Sequence, residues 1–289
     1  KRRQFIFISL LIPVTLLIAF VVFPAIDLFR MSFTDWDGFS ADYHFINFEN
    51  YISMFHNKDL WLSLRNNAVY FVIHLFMILV ELAFAVLLTS KLRAAKFYKT
   101  MVFLPYIING VAISYAFSYF FSPINGAFNG ILTALHLESL IRNWLSDEKI
   151  VNFVLASVSV WRFSGYHVIL FMAALASIPN ELLEVARLES ATPLQTFFYI
   201  KIRYLSSTFL FVTIMSLISS FKIFREIYLL TTDYPYDSIY MLQHFMNNKF
   251  KSLDYQTLSA AAILMSLVMV VIIGLLFAVE NHFGKDVEG

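Results

Sequence analysis

The sequence predicts an all-α integral membrane protein with six transmembrane helices. Of its 289 residues, 59% are hydrophobic and only 14% are charged, whereas a soluble globular domain carries about 25% charged residues. The mean hydropathy is +0.70, and long apolar runs alternate with polar segments. An apolar run of roughly 20 residues crosses the hydrocarbon core of a bilayer as a helix. We therefore expect one transmembrane domain that covers residues 1–289.

Six apolar runs satisfy this length requirement. The first, at residues 5–26, contains no charged residue and follows the basic start KRRQ. It is longer than the core of a signal peptide and lacks a small-residue cleavage site, so we expect an uncleaved span. The other five spans are predicted at residues 67–89, 100–121, 150–177, 206–231 and 257–279. Pro105 and Gly110 interrupt the third of the six.

The distribution of charge predicts which side of the membrane each loop faces. Six spans place both termini on the same side as the loops that follow the second and fourth spans. These segments hold eleven Lys and Arg, against seven in the longer loops opposite. The short loop KLRAAKFYK at residues 91–99 carries four bases and no acid, and short loops follow the positive-inside rule most closely. We therefore predict a multi-pass protein of the cytoplasmic membrane with both termini in the cytoplasm.

The polar segment at residues 178–203, IPNELLEVARLESATPLQTFFYIKIR, is patterned more strongly than a connector requires. Asn180 is expected to cap a helix whose first turn carries Glu181 and Glu184, where the helix dipole favours acids. The apolar stripe of that helix consists of Leu182, Leu183, Ala186 and Leu188. Thr192 and Pro193 then predict a break before a second short helix at about residues 194–200. Two short helices on the cytoplasmic surface indicate a docking site for another protein.

The sequence contains no motif for catalysis or for phosphate binding. There is no G-x-x-x-x-G-K-[ST] loop, no G-x-S-x-G and no H-E-x-x-H. Cysteine is absent and the seven histidines are scattered, so neither a thiolate site nor metal-ligand spacing is found. The net charge of +1 argues against nucleic acid as a partner. We expect no enzymatic activity, catalytic residue, metal or cofactor in this chain.

Four charged residues fall inside the predicted fourth and fifth spans, where charge is costly and marks a functional pathway by default. They are Arg162, Lys222, Arg225 and Glu226. At 1.5 Å per residue, Lys222 and Arg162 lie about 24 Å and about 22 Å from the cytoplasmic ends of their helices. Two interpretations remain open. One is a Lys222–Glu226 ion pair with the arginines reaching lipid headgroups. The other is a water-filled cavity, open to the outside, that presents positive charge to a solute; Arg suits a carboxylate or a sulfate.

Glu81 is an isolated acid in the middle of the second span. An unpaired carboxylate at that depth would be expensive, so we expect it to hydrogen bond to a neighbouring helix. His74 and His167 are expected to be packing residues with satisfied hydrogen bonds rather than ligands or proton carriers.

The segment at residues 178–203 resembles the EAA loop of permease subunits in bacterial ABC importers. The resemblance is to the maltose-permease-like branch, which takes up carbohydrates. Its members are described as the binding-protein-dependent transport system inner membrane component. It extends through MSFTDWDGF at residues 31–39, KLRAAKFYKTMVFLPYII at 91–108, SVWRFSGY at 159–166 and SFKIFREIYLLT at 220–231. The residues that it assigns to ATPase coupling are Glu184, Ala186, Arg187, Leu188, Glu189 and Ser190. Ser190 stands where the family has glycine, Arg203 where it usually has proline, and residues 233–235 replace a Gly-Gly-Pro.

The resemblance implies a type I ABC importer permease fold with an EAA-type cytoplasmic coupling loop, in a bacterial inner membrane. It implies three kinds of partner besides membrane lipid: a second permease subunit, usually as a heterodimer, two cytoplasmic ATPase subunits that bind ATP and Mg, and an external solute-binding protein. Related permeases contact sugar in the outer half of the fifth span, and the aligned positions include Lys222, Arg225 and Glu226. The more positive charge here predicts an acidic, uronate-containing oligosaccharide.

Two rival interpretations follow from the residues alone. An ion-coupled secondary transporter of a small solute would use the intramembrane charges, although the EAA-like loop and the lack of internal repeats disfavour it. A membrane receptor or structural component without transport activity is the second. ATP dependence of uptake separates the first rival from an importer, and substitution of Glu184 separates the second.

Overall fold

The computed structural model describes residues 2–89, 95–222, 224–231 and 236–283. Within these residues the chain is all helix and loop, with a single antiparallel bridge between Thr34 and Phe45. The predicted all-α class is confirmed. In chain order the helices are α1 (Arg2–Leu17), α2 (Phe23–Met31), α3 (Glu49–Phe55), α4 (Lys58–Thr89), α5 (Ala95–Ile107), α6 (Gly110–Phe120), α7 (Ala127–Ala134), α8 (Val151–Ala176), α9 (Asn180–Leu188), α10 (Pro193–Gln195), α11 (Ile202–Tyr204), α12 (Ser206–Lys222), α13 (Phe224–Thr231), α14 (Leu242–Lys251) and α15 (Tyr255–Phe283).

Five helical segments in this part of the chain are long and apolar enough to cross a membrane, and the number is six if one bent pair of helices counts as a single span. The five are Ser9–Met31, Lys58–Thr89, Val151–Ala176, Ser206–Leu229 and Tyr255–Asn281. The first includes a π-helical turn at Ile18–Val22 between α1 and α2 and ends beyond the predicted boundary at residue 26. The second begins well before residue 67, because residues 58–66 contain no proline or glycine to end the helix.

The third predicted span is broken. Helices α5 and α6 meet at an angle of 102°. At the break Asn109 adopts an extended conformation, and its side chain accepts a hydrogen bond from the amide of Val111, which caps α6. The sequence marked this place with Pro105 and Gly110, and both lie within three or four residues of the bend. A helix interrupted in this way exposes backbone polar groups, which a membrane protein tolerates only where they are buried in protein or line a cavity.

The chain forms two compact units. The first consists of Lys1–Trp61 and Phe245–Val271, and the second of Leu62–His244 and Ile272–Gly289. In the first unit Nδ2 of Asn50 donates to the carbonyl oxygens of Ser32 and Thr34, at 3.0 and 2.9 Å, which holds the loop after α2 in place. In the same loop the amides of Ser40 and Phe39 and the Ser40 hydroxyl donate to Asp37 and lower its pKa to about 2.

The core of the second unit lies between α4, α8 and α12. Its buried side chains include Ile78 and Leu82 from α4, Phe171 from α8 and Val212 from α12. Helix α5 packs closely on α8 at Gly165, where a Cβ atom would overlap the carbonyl oxygen of Val102. This close packing holds the first half of the broken span against the fourth span.

Candidate functional site

A cavity of about 500 Å³ opens in the second unit where the broken third span meets the fourth and fifth spans. Helix α5 contributes to its wall near the break, α8 contributes one side, and the junction of α12 and α13 contributes the other. The residues that line it are Tyr106, Arg162, Phe163, Phe221, Phe224, Arg225, Glu226 and Gln243. Three of the four charged residues singled out in the sequence therefore line one cavity.

Arg162 and Glu226 form a buried ion pair in this cavity. Nη1 of Arg162 donates a hydrogen bond to Oε1 of Glu226 across 64 positions of sequence. The side chains are only 14% and 2% exposed, respectively. Oε1 of Glu226 is thus bonded to Arg162, whereas the first of the two interpretations paired Glu226 with Lys222 and directed Arg162 to the headgroups. The side chain of Lys222, which ends α12, lies outside the described residues.

The polar atoms of the cavity are incompletely satisfied. Among the described residues, Nε of Arg162, Oε2 of Glu226 and Oε1 of Gln243 are buried and have no hydrogen-bond partner. Buried polar groups of native proteins are nearly always paired. Arg225, which is exposed, lies at the same cavity. The arrangement offers both donors and acceptors to a polar solute.

Gly110 lets these charged groups approach the start of α6. A Cβ atom at this position would lie 2.5 Å from Oε1 of Glu226 and 3.2 Å from Nη1 of Arg162. Any larger residue would therefore force the end of the Glu226 side chain to shift. The sequence identified Gly110 only as an interruption of the span, because a glycine in an apolar run does not reveal what its missing side chain accommodates.

Aromatic rings form the remaining wall. Tyr106 stacks on Tyr166, with ring centroids 4.9 Å apart and 14° between the planes, and it meets Phe163 at 6.3 Å. The guanidinium of Arg162 lies 5.1 Å from the centroid of Phe163. Sequence reasoning missed Tyr106, Phe163, Phe221, Phe224 and Gln243. Their only local signal was the proximity of Tyr106 to Pro105 at the break.

The segment at residues 178–203 folds as a helix, a turn and a second helical stretch. The first helix, α9, begins at Asn180, and Pro179 occupies the capping position without a side-chain hydrogen bond. The expected capping role of Asn180 is therefore wrong, because Pro179 already supplies the extended conformation that precedes the first turn. The stretch after the turn runs through α10, a π-helical segment at Thr196–Lys201 and α11, beyond the predicted end at residue 200.

The turn between the two stretches is a Schellman motif centred on Ser190. The amide of Ala191 donates to the carbonyl of Ala186 at 2.9 Å, and the amide of Ser190 donates to that of Arg187 at 3.1 Å. Ser190 has φ = +57°, the left-handed conformation that glycine usually supplies in this motif. The serine thus retains the turn at a cost in strain. Thr192 and Gln195 then form a capping box that starts the second stretch.

The two faces of this segment have different surroundings. Leu183, Phe197, Ile200 and Ile202 pack against the buried cluster of α4, α8 and α12, and Ala186 is buried. Leu188, predicted to belong to the same apolar stripe, is instead 85% exposed. It points away because α9 ends there and the chain turns. The other residues assigned to coupling, Glu184, Arg187, Glu189 and Ser190, are exposed.

Glu81 hydrogen bonds to a neighbouring helix, as predicted. Its Oε2 atom lies 3.0 Å from Nδ1 of His167 on α8, and both side chains are 1% exposed. His74 pairs in the same way, with Nε2 2.8 Å from the hydroxyl of Ser159. Both histidines therefore join α4 to α8. In residues 2–89, 95–222, 224–231 and 236–283, no three His, Asp or Glu side chains are grouped to hold a metal ion.

Comparison with known proteins gives relatives along nearly the whole chain. The sequence is 32% identical over 283 residues to the probable ABC transporter permease protein PH1215 of Pyrococcus horikoshii, and 29% identical over 279 residues to the probable ABC transporter permease protein YurN of Bacillus subtilis. Each alignment covers 96% of both chains. It is 31% identical over 206 residues to the diacetylchitobiose uptake permease NgcF of Streptomyces coelicolor, covering 68% of this chain and 58% of that one.

Solved structures agree on the fold. A bacterial ABC transporter involved in the import of the acidic polysaccharide alginate superposes with a TM-score of 0.80, at 21% identity, over 100% of this chain and 98% of that chain. The same kind of transporter in complex with a pentasaccharide-bound periplasmic protein gives 0.82, at 21% identity, over 98% of this chain and 96% of that chain. No protein-family model matches the sequence.

Proposed function

The chain belongs to the permease subunits of ABC transporters, and on this premise we propose that it forms, with a second permease subunit, the membrane pathway of an importer for an acidic oligosaccharide. The observation that carries the proposal is the cavity of about 500 Å³ lined by Arg162, Arg225 and Glu226. Cavities that hold small molecules measure about 300–1,000 Å³. This one therefore has room for part of an oligosaccharide chain.

The charge of the cavity supports an anionic solute. Glu226 neutralises Arg162, and Arg225 adds one positive charge, so these three side chains together carry +1. An arginine recognises a carboxylate through a planar pair of N–H donors. The ring of Tyr106 offers an apolar face to a sugar ring, and the carboxamide of Gln243 offers a polar group to its hydroxyls. A uronate residue matches this combination.

The named relatives support a carbohydrate as the solute. Besides diacetylchitobiose, they include permeases for lactose in Rhizobium radiobacter and for arabinooligosaccharides in Halalkalibacterium halodurans. The transporter with the similar fold imports an acidic polysaccharide. The acidic character of the proposed solute rests on the charge of the cavity.

The segment at residues 178–203 is the proposed docking site for a cytoplasmic ATPase. Its packed face is attached to α4, α8 and α12 through Leu183 and Phe197, so a displacement of the segment moves the transmembrane core. Its outer face presents Glu184, Arg187 and Leu188 to a partner. ATP and Mg belong to two ATPase subunits, the second permease is a different chain, and an external binding protein delivers the sugar.

We propose that both termini lie in the cytoplasm of a bacterial cell, which the distribution of Lys and Arg among the loops supports. The docking segment lies on the same side, between the fourth and fifth spans, where an ATPase subunit meets it. The loop after α6 and the loop after α13 face outward toward the binding protein. Cysteines introduced into this cysteine-free chain near residues 2 and 189 are expected to react with a membrane-impermeant thiol reagent only after the cells are opened.

The test of the proposed function is uptake of an oligouronate by the complete importer in proteoliposomes, with ATP and an ion gradient supplied separately. ATP alone is expected to drive uptake, and the Glu184→Ala variant is expected to lose stimulation of ATP hydrolysis while remaining folded. Glu181→Ala, which removes an exposed acid from the same helix, is the matched control and is expected to retain it. Uptake driven by the ion gradient without ATP would refute the proposal in favour of a secondary transporter.

A further inference from the structure

The carboxylate of Glu226 occupies the position in the cavity where an anionic ligand would be expected to bind. It accepts a hydrogen bond from Arg162, and its Oε1 atom lies against the start of the 11-residue helix α6 at Gly110. The first amides of a helix have no partner within the helix, and the dipole there favours negative charge. Two independent features that attract an anion thus converge on one side chain of the protein itself.

The second carboxylate oxygen and the guanidinium both retain bonding capacity. Among the described residues, Oε2 of Glu226 and Nε of Arg162 have no hydrogen-bond partner although both are buried. Arg162 could therefore bind a second carboxylate through donors that Glu226 does not use.

We propose that Glu226 is an internal counter-ion that competes with the substrate carboxylate for Arg162. This inference rests on the proposed function and names the residue that sets the affinity for the acidic group. Without substrate, Glu226 neutralises Arg162, which would otherwise be a buried and uncompensated charge. When a uronate carboxylate reaches Arg162, it takes over some of the N–H donors of the guanidinium from Glu226. The carboxylate of Glu226 remains at the start of α6, where the absent side chain of Gly110 leaves space for it.

The competition has a consequence for transport. A pathway must bind its solute strongly enough to accept it and weakly enough to release it. A competing carboxylate lowers the affinity for an acidic sugar without affecting a neutral one, because only the acidic sugar needs Arg162. Glu226 therefore promotes release of the anionic solute into the cytoplasm.

The test compares an oligouronate with its methyl ester, which has the same sugars without the charges. Binding of each to the complete importer in nanodiscs is measured by titration calorimetry in wild type and in Glu226→Gln. The variant is expected to bind the oligouronate about tenfold more tightly, the effect of one charge-assisted hydrogen bond on a dissociation constant, and to bind the ester as wild type does. The quantity to compare is the dissociation constant of the ester divided by that of the oligouronate. Loss of the counter-ion raises this ratio, whereas a merely structural role would change both constants alike and leave the ratio unchanged.

Glu81→Gln is the matched control, since Glu81 is equally buried but bonds to His167 away from the cavity; its ratio is expected to stay at the wild-type value. Glu226→Asp, which keeps the charge but shortens the reach to Arg162, is expected to raise the ratio less than Glu226→Gln. It serves as the test if the glutamine variant does not fold. A wild-type ratio in either folded Glu226 variant would overturn the counter-ion role alone. If wild type binds neither sugar, the proposed substrate class fails, and the inference fails with it.

Discussion

Replacing Ser190 by glycine is expected to stabilise the turn that connects the two halves of the docking segment. Ser190 has φ = +57°, where an L-residue with a Cβ atom incurs a cost of roughly 1–2 kcal/mol. Glycine adopts this conformation without that cost but loses more backbone entropy on folding, by about 0.5–1 kcal/mol. The net gain is therefore about 1 kcal/mol at the upper end of the strain range, and less at the lower end.

Hydrogen exchange measures this gain locally. The two amides to follow are those of Ala191 and Ser190, which donate to the carbonyls of Ala186 and Arg187. These bonds break when the turn opens, so a gain of about 1 kcal/mol slows exchange by about fivefold, since a change of that size alters an equilibrium by this factor. The measurement uses mass spectrometry on the complete importer, on a peptide that covers the turn.

The control is Ser190→Ala, which retains a Cβ atom and is expected to show no slowing. If the glycine variant exchanged as fast as wild type, or if the alanine variant were equally protected, strain at residue 190 would not limit the turn. Turnover of ATP in the glycine variant shows separately whether the strained serine contributes to coupling.

Three further predictions follow from particular contacts. Gly165→Ala is expected to lower the melting temperature of the importer, because its Cβ atom would overlap a carbonyl of α5 and overpacking costs about 1–3 kcal/mol. The control is Gly130→Ala on α7, where nothing lies within 4 Å; this variant is expected to be neutral or slightly stabilising. His167→Leu is expected to destabilise the protein by about 1–3 kcal/mol because Glu81 loses its partner in the core. In a thermal scan, the double variant with Glu81→Gln and His167→Leu is expected to recover part of this loss. The pKa of Asp37 is lowered to about 2 from 3.8. Its hydrogen bonds therefore stabilise the loop above pH 3.8, and this stabilisation is lost as the pH falls toward 2. The chemical shift of the Asp37 carboxyl carbon reports the titration.

Each of these predictions has an outcome that contradicts it. An unchanged melting temperature in Gly165→Ala would mean that the backbones of α5 and α8 do not approach closely at Gly165. Equal losses in the single His167→Leu variant and the double variant would show that the carboxylate of Glu81 does not depend on the histidine. A carboxyl titration of Asp37 near 3.8 would show that the loop amides do not bond to it.

Hydrophobicity and charge placement were sufficient to predict the class of fold. The apolar runs that identify the spans are set by the thickness of the bilayer, which acts on any sequence in the same way. The bend at Asn109 was indicated only as an interruption at Pro105 and Gly110, because local sequence shows where a helix weakens and not the angle at which it resumes. The start of α4 at Lys58, ahead of the predicted span at residue 67, was missed because the helix there is set by helix propensity rather than by hydropathy.

Three of the charged residues named from the sequence line one cavity, but the pairing of Glu226 could not be predicted. Periodicity along one helix relates Glu226 to Lys222, four positions away, whereas the observed partner Arg162 lies on another helix. Tertiary contacts of this kind depend on how helices cross and cannot be read from spacing. The exposure of Leu188 was missed for a related reason: a stripe drawn on a helical projection assumes that the helix continues, and α9 ends at that residue.

The central claim is that the cavity at the broken third span selects an anionic sugar by its positive charge. The most direct measurement is ATP-dependent uptake of an oligouronate and of its methyl ester by the same proteoliposomes, in wild type and in Arg225→Gln. Wild type is expected to prefer the oligouronate. The variant, which lacks the exposed cation of the cavity but keeps Arg162, is expected to show a reduced preference while still taking up the ester. Equal uptake of both sugars by wild type, or an undiminished preference in Arg225→Gln, would contradict the claim.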